Sequence, residues 1–280
     1  MFEALRVHVV AADRSVDGGW ASRSSRDHAA GRKTRGVVLA DLTWPQAEAS
    51  LTVDAVVVTP LGAAAKEHGP HLRLDNDLRL AQYLAARVVE ASQVVLAPTI
   101  PYHFYPAFVE YPGSTHLRFD TARDLLLDIV RSLARHGPRR FYVLNTGIST
   151  LAPLQAAAER LAEDGILLRF TDLRAAGADA RMGVERQQRG SHADEIETSV
   201  MLHIAPDRVD MTRAVRDDNP AAPGGLTRDA VGEGIFSPSG VWGDATLATP
   251  EKGRIVIEAV VAHILGELAA LRDSVCPKPK

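Results

Sequence analysis

Along the chain, short runs of β-branched and apolar residues alternate with longer stretches whose apolar positions recur at helical spacing. The strand-like runs are Val53 to Val58, Val94 to Ala97, Phe141 to Leu144 and Leu167 to Thr171. Between them, Asp77 to Ala91 carries Leu80, Leu84 and Val88 on one face of a helix. A second helix, capped by Asp120 or Thr121, is expected to bury Leu125, Ile129 and Leu133 before Gly137 ends it. Thr249-Pro250-Glu251 then supplies an N-cap, a first-turn proline and an acidic first turn for a last helix through Ile257, Val261 and Leu265. This alternation predicts an α/β fold, a mostly parallel central sheet with helices on both faces. Ligands of such sheets bind beyond the carboxyl ends of the strands. The loops Pro60 to Asp77, Pro98 to Thr115 and Asn145 to Thr150 are therefore expected to share one rim.

At 280 residues the chain suits one large domain, over 36–272, between an aperiodic N-terminal extension (1–35) and a flexible tail (273–280). Composition narrows the partners. Nearly half the residues are apolar and the formal net charge is -3, which leaves no polybasic stripe for nucleic acid or a membrane surface and favours a small-molecule substrate. The single cysteine, Cys276, allows neither an intrachain disulfide nor a thiolate metal cluster, so any metal must be held by histidine and carboxylate. No apolar run approaches the ~20 residues of a membrane helix, and no small-residue cleavage site follows the first ten residues. A cytoplasmic location is expected.

Candidate chemistry gathers behind the first strand, in Pro60-Leu-Gly-Ala-Ala-Ala-Lys66-Glu67-His68-Gly-Pro-His71, with Asp77 further on. His68 and Asp77 are too far apart for one helical face and meet only if the loop folds back, which Gly69-Pro70 favours. Imidazole and carboxylate are natural ligands for zinc, iron or manganese, and three protein ligands with one open position make a catalytic site. A second group, His192-Ala-Asp194-Glu195-Ile-Glu197-Thr-Ser199, leads into a helix with Ile196, Val200, Met201 and Ile204 on one face. His192 thus precedes a helix N-terminus, whose positive end is expected to lower its pKa. On residue type alone, Glu195 and Glu197 are ligands or first-turn dipole partners, Glu67 is a solvated or capping carboxylate, and His71 is a supporting histidine.

These segments resemble the signatures of the creatininase family of metal-dependent amidohydrolases. The first is similar to Pro-x-Gly-Ser-x-Glu-Gln-His-Gly-Pro-His followed by Asp, and the second to His-Ala-Gly-Glu-x-Glu-Thr-Ser. The run Ser239-Gly-Val-Trp242-Gly-Asp244-Ala-Thr-Leu-Ala-Thr-Pro-Glu-Lys-Gly253 is similar to the family's closing signature. The resemblance implies a three-layer α/β/α hydrolase in which His68, Asp77 and Glu197 hold a divalent ion and His192 shuttles protons, with Glu195 beside it in the catalytic group. A water activated by the ion would attack a carbonyl or amidine carbon of a small cyclic or linear substrate, at a non-peptide C–N bond. His103 and Tyr105 from the second loop, with Trp242 and Asp244, are expected to border the substrate. Relatives are commonly homo-hexamers, so a homo-oligomer is implied as well.

Two departures from the family pattern are paired. Lys66 stands where the family has Glu, and Gly147 in Asn145-Thr-Gly147-Ile-Ser149-Thr stands where it has a metal-binding His. By the resemblance both lost ligands serve only a first metal, while His68, Asp77 and Glu197 serve the second. One ion per subunit (Zn, Mn or Fe) is expected, with the Lys66 ammonium in the vacated position, using the room left by Gly147 and placed to polarise a carbonyl. A lysine there is pointed in a chain with only five. It shifts the expected substrate toward a polyol or keto-sugar, so the alternatives are a hydrolase that opens a cyclic keto-sugar of inosose type and a non-catalytic ligand-binding protein.

Overall fold

Strands and helices alternate through residues 35–280, the part of the chain described by the structure, a computed structural model. The strands are β1 (Val37–Val38), β2 (Val56–Leu61), β3 (Val95–Leu96), β4 (Arg140–Asn145), β5 (Leu167–Phe170) and the short β6 (Arg216–Asp217), β7 (Leu226–Thr227), β8 (Ile235–Phe236) and β9 (Gly243–Asp244). The α-helices are α1 (Trp44–Ser50), α2 (Asn76–Ala91), α3 (Phe119–Ala134), α4 (Leu151–Glu163), α5 (Ala178–Val184), α6 (Glu195–Ile204) and α7 (Pro250–Asp273). β1 to β5 form one parallel sheet in the order β1-β3-β2-β4-β5. The extension expected over 1–35 lies, apart from Arg35, outside the described residues.

A parallel sheet is stable only with both faces covered, and the side-chain alternation of β2 and β4 shows how this is met. Val56 and Val58 of β2 and Tyr142 and Leu144 of β4 join Leu84 and Val88 of α2 and Ile257, Val261 and Ile264 of α7 in one core. Val57, Leu61, Phe141 and Val143 turn to the other face and pack on Leu126 and Val130 of α3 and Leu154 and Leu161 of α4. Each such buried side chain contributes roughly 1.5–3 kcal/mol. Truncating Leu84, which has no exposed surface, to alanine should cost about 2–5 kcal/mol. The three-layer α/β/α arrangement follows from these two cores.

Three local expectations shift. β2 begins at Val56, because Val53 and Asp54 lie in a turn that leaves Val53 60% exposed. The strand runs on through Pro60, whose carbonyl still accepts the Ile100 N–H. In α3 the closest row to the sheet is Ala122, Leu126, Val130 and Ala134, and the predicted row of Leu125, Ile129 and Leu133 is only partly buried. A 3.6-residue repeat offers both rows, and the one ending in alanines approaches more closely. The Asp120 or Thr121 cap is absent, since Arg118 is the N-cap residue and gives no side-chain bond. Thr249 does cap α7, its hydroxyl accepting the Lys252 N–H. The tail, expected to be flexible, makes defined contacts: Lys280 donates from its backbone to the Glu163 carbonyl and pairs with the Glu163 carboxylate at 2.8 Å. Among the described residues no helix is long and apolar enough to cross a membrane.

β2 leads through α2 to β3 on one side and β4 leads through α4 to β5 on the other, so the connections leaving these two neighbouring strands diverge. The crevice at the carboxyl ends of β2 and β4 is the switch point where α/β sheets bind ligands.

Candidate active site

The loop after β2 folds back at once. Gly62 packs so tightly against the start of α2 that a Cβ there would sit 2.3 Å from the Asp77 carbonyl oxygen. Bonds from Leu78 N to the Ala63 carbonyl and from Lys66 N to the Leu74 carbonyl fasten the return. The result brings together three buried groups. Lys66 Nζ lies 2.7 Å from Asp77 Oδ2, His68 Nε2 lies 3.0 Å from Asp77 Oδ1, and His68 Nδ1 lies 3.0 Å from the Lys66 carbonyl. Burial alone would raise the Asp77 pKa, but the Lys66 and His68 charges outweigh it and hold the carboxyl well below its usual range. The Lys66 ammonium also stands over the Phe108 ring, 4.7 Å from its centre.

Gly147 lies on the same cavity wall as Lys66. It leaves less room than expected, because a Cβ there would meet Thr150 at 3.2 Å and Tyr105 at 3.6 Å. Thr150 and Tyr105 therefore close in on the position where the family resemblance implied a histidine.

The second group arrives at the start of α6. Asp194 caps the helix, accepting from Ile196 N and Glu197 N at 2.9 Å, and Glu197 Oε2 reaches back to accept from Ala193 N at 2.6 Å. Helix α6 crosses α7 at close range: a Cβ on Gly253 would fall 1.9 Å from the Ser199 carbonyl oxygen. His192 is fixed from outside the helix by an antiparallel bridge to Trp242. Its Nε2 faces two acceptors, the Glu67 carbonyl and Glu67 Oε2, both at 3.1 Å. Nε2 must then carry the proton, which leaves the Nδ1 lone pair, 3.7 Å from Glu197 Oε2, free to bind a cation.

This reverses the expected direction of the His192 pKa shift. Burial pushes its pKa down, but the Glu67 carboxylate, and then Glu197, raise it above the ordinary imidazole value. The helix end is already answered by Asp194, so facing carboxylates prevail. Glu67 itself is buried and paired, not solvated. Its signal in the sequence was a charged residue at the family's neutral Gln position beside His68. His71 does play the supporting part, with Nε2 2.8 Å from Thr198 Oγ1 and burial pushing its pKa down to about 4.

Four other candidates are placed away from the cavity. Glu195 has no exposed surface and gives both oxygens to structure, accepting from Lys252 Nζ, Arg186 N and Gln187 N. Asp244 caps a short turn through Thr246 N. His103 is buried beneath α3, donating from Nε2 to the Ala122 carbonyl at 3.1 Å. Tyr105 stands behind Lys66 with its hydroxyl buried, and burial holds its phenol well above the usual range. Trp242 does line the cavity, its Nε1 donating to the Asn219 carbonyl.

One set of donors converges. Ligand atoms of His68, His192 and Glu197 lie within 4.8 Å of one another. Asp77, the expected third ligand, is not in that set and instead pairs with Lys66 and His68. Two imidazoles and a carboxylate are natural ligands of zinc and manganese, so the converging donors fit a divalent cation. Lys66, Asp77, Gly147, His192 and Glu197 border one cavity of about 370 Å³, within the range of small-molecule sites.

Comparison with known proteins identifies the family. The creatininase family model, described as creatinine amidohydrolase, matches residues 40–268. The chain is 28% identical over 250 residues to the creatinine amidohydrolase of Pseudomonas putida, covering 82% of this chain and 95% of that protein. It is 30% identical over 214 residues to the mycofactocin precursor peptide peptidase of Mycolicibacterium smegmatis, covering 74% and 81%. A crystal structure of creatininase superposes with a TM-score of 0.73 at 26% identity, covering 85% of this chain and 99% of that one. Solved creatininases are described in a manganese form and, for a mutant, in a Zn-Zn form.

Proposed function

Because the chain belongs to the creatininase family of metal-dependent hydrolases, we propose that it hydrolyses a C–N bond of a small substrate with one divalent ion per subunit, zinc or manganese, and a lysine in place of the second ion. The observation that carries this reading is the Lys66–Asp77 pair at 2.7 Å beside the donor set His68, His192 and Glu197. An ion held by those three would supply Lewis acidity, polarising a carbonyl oxygen or amidine nitrogen so that its carbon is open to attack by water. Lys66 takes the other share of the work, donating a hydrogen bond to the substrate carbonyl and to the oxyanion that develops from it. Asp77 holds that ammonium in place. Glu67 accepts the Nε2–H of His192 and so fixes the ring with Nδ1 inward. With Nδ1 used as a ligand atom, His192 is a holding group in this reading and gives up the proton-shuttle role.

The relatives named as an amidohydrolase and a peptide peptidase support a C–N bond and widen the class to include peptide amides. A cytoplasmic homo-oligomer remains part of the proposal, resting on composition and on family resemblance. Metal analysis of protein purified without chelator or added metal tests the central claim. About one equivalent per subunit is expected, and two would sink the replacement of an ion by lysine.

A further inference from the structure

On α6, Ile196 and Val200 form one row and Glu197 and Met201 the row beside it, and all four line the cavity. Glu197 is also one of the converging donors, so the apolar wall begins at the metal site itself. Helix α7, which crosses α6 closely at Gly253, adds Val256 and Val260 from successive turns. Ile196, Val200, Val256 and Val260 belong to the core that covers the sheet, yet each keeps 5–7% of its surface open. Apolar surface closes in around the polar groups as well. Phe108 stands 4.7 Å from the Lys66 ammonium, and its ring centre is 4.4 Å from that of His192.

Protein interiors pack densely, so a core that opens onto a cavity of about 370 Å³ gives up contacts that a closed core would make. Water gains little there, because aliphatic walls offer it no partners, and the hydroxyls of a polyol would lose their hydrogen bonds against the same walls. A hydrocarbon recovers the lost contacts. Its place is set by the metal donors and Lys66, which fix the reacting carbonyl at one end of this wall. We propose that the substrate is an amide bearing an apolar hydrocarbon group, which lies on the α6 and α7 walls while the amide meets Lys66 and the ion. The proposal rests on the hydrolase reading above and replaces the expected polyol or keto-sugar.

The test uses the full chain loaded with zinc and a series of hydroxamates, whose common head anchors on the ion. Acetohydroxamate, butanohydroxamate and hexanohydroxamate lengthen the chain on carbon, N-butyl and N-hexyl acetohydroxamate lengthen it on nitrogen, and gluconohydroxamate carries hydroxyls along a six-carbon chain. Calorimetric titration should show that each added methylene tightens binding roughly threefold in at least one of the two series, while gluconohydroxamate binds no better than acetohydroxamate. Val200→Thr and Val256→Thr keep the shape of the wall and place one hydroxyl on each helix. Each should weaken the long-chain probe about threefold or more and leave acetohydroxamate binding and zinc content unchanged. No gain from chain length in either series, tighter binding of gluconohydroxamate than of hexanohydroxamate, or a gain that survives undiminished in both threonine variants would overturn the assignment. If a threonine variant does not fold, Leu80→Gln, at a partly buried position on the same cavity, takes its place. The two claims fail differently. Loss of zinc, or no binding of acetohydroxamate by the wild type, strikes the hydrolase reading and this inference with it, whereas acetohydroxamate binding without any gain from the chain strikes the apolar group alone.

Discussion

Lys66 Nζ lies 2.7 Å from Asp77 Oδ2, with the two side chains 6% and 3% exposed. Removing one member of a buried pair strands the other charge at a cost of about 3–5 kcal/mol, whereas replacing both is often near neutral. Lys66→Met should therefore destabilise the chelator-treated protein by about that amount, and adding Asp77→Asn should recover much of the loss. Urea denaturation of the two single variants and the double variant measures this coupling. Strict additivity would mean that the ammonium does not sustain Asp77.

A second buried pair makes the opposite claim about function. Glu195 Oε1 accepts from Lys252 Nζ at 2.5 Å, and Oε2 accepts from two backbone N–H groups. Glu195→Ala should lower stability by about 3–5 kcal/mol by stranding Lys252 and those donors, while zinc content stays at the wild-type value. Thermal unfolding and metal analysis on one preparation check both halves. Loss of zinc in a folded variant would return Glu195 to the site.

These two carboxylates mark how far the sequence could be read. Strands β2 and β4 were legible because a strand buried on both faces is a continuous apolar run, and the α7 start because Thr249-Pro250-Glu251 is a local signal. Lys66, His68 and Asp77 sit in one folded-back loop, so their meeting could be anticipated from that loop alone. The partner of Glu67 is His192, 125 residues away, and no local pattern reports such a contact. Glu195 looked like its neighbour Glu197 for the same reason: helical phase places one on Lys252 and the other on the cavity, and phase relative to a distant helix is a tertiary fact. His103 and Tyr105 sit in a loop by their sequence, yet the cover over them comes from α3 and from the second loop's own fold.

His103, which is outside the converging donor set, carries a pH prediction. Burial pushes its pKa down to about 4 from an ordinary value of 6.5, with the Ala122 carbonyl opposing weakly. Between those values the unfolded chain binds a proton that the folded chain refuses, so stability is full above pH 6.5 and falls as the pH drops toward 4. The shift corresponds to about 3 kcal/mol. His103→Gln keeps a donor for the Ala122 carbonyl but cannot titrate, so its loss of stability between pH 7 and pH 4.5 should be smaller than that of the wild type. Parallel slopes in guanidinium titrations at the two pH values would remove His103 as the cause.

Zinc binding itself separates the observed donor set from the one the family pattern implies. A ligand that binds only the folded state adds about 2.7 kcal/mol at a hundred times its Kd, which for a domain of this size is roughly 5–10 °C in Tm. Chelation should lower the Tm by that much and added zinc should restore it. His68→Ala, His192→Ala and Glu197→Ala each remove a converging donor and should abolish the zinc-dependent rise. Asp77→Asn should retain it, because Asp77 is outside the converging set and pairs instead with Lys66 and His68, although its Tm without metal should fall. Differential scanning fluorimetry with and without chelator reads all four variants on one scale. The reverse outcome, a rise that survives in His192→Ala and vanishes in Asp77→Asn, would hand the third ligand position to Asp77 and restore His192 as the proton carrier.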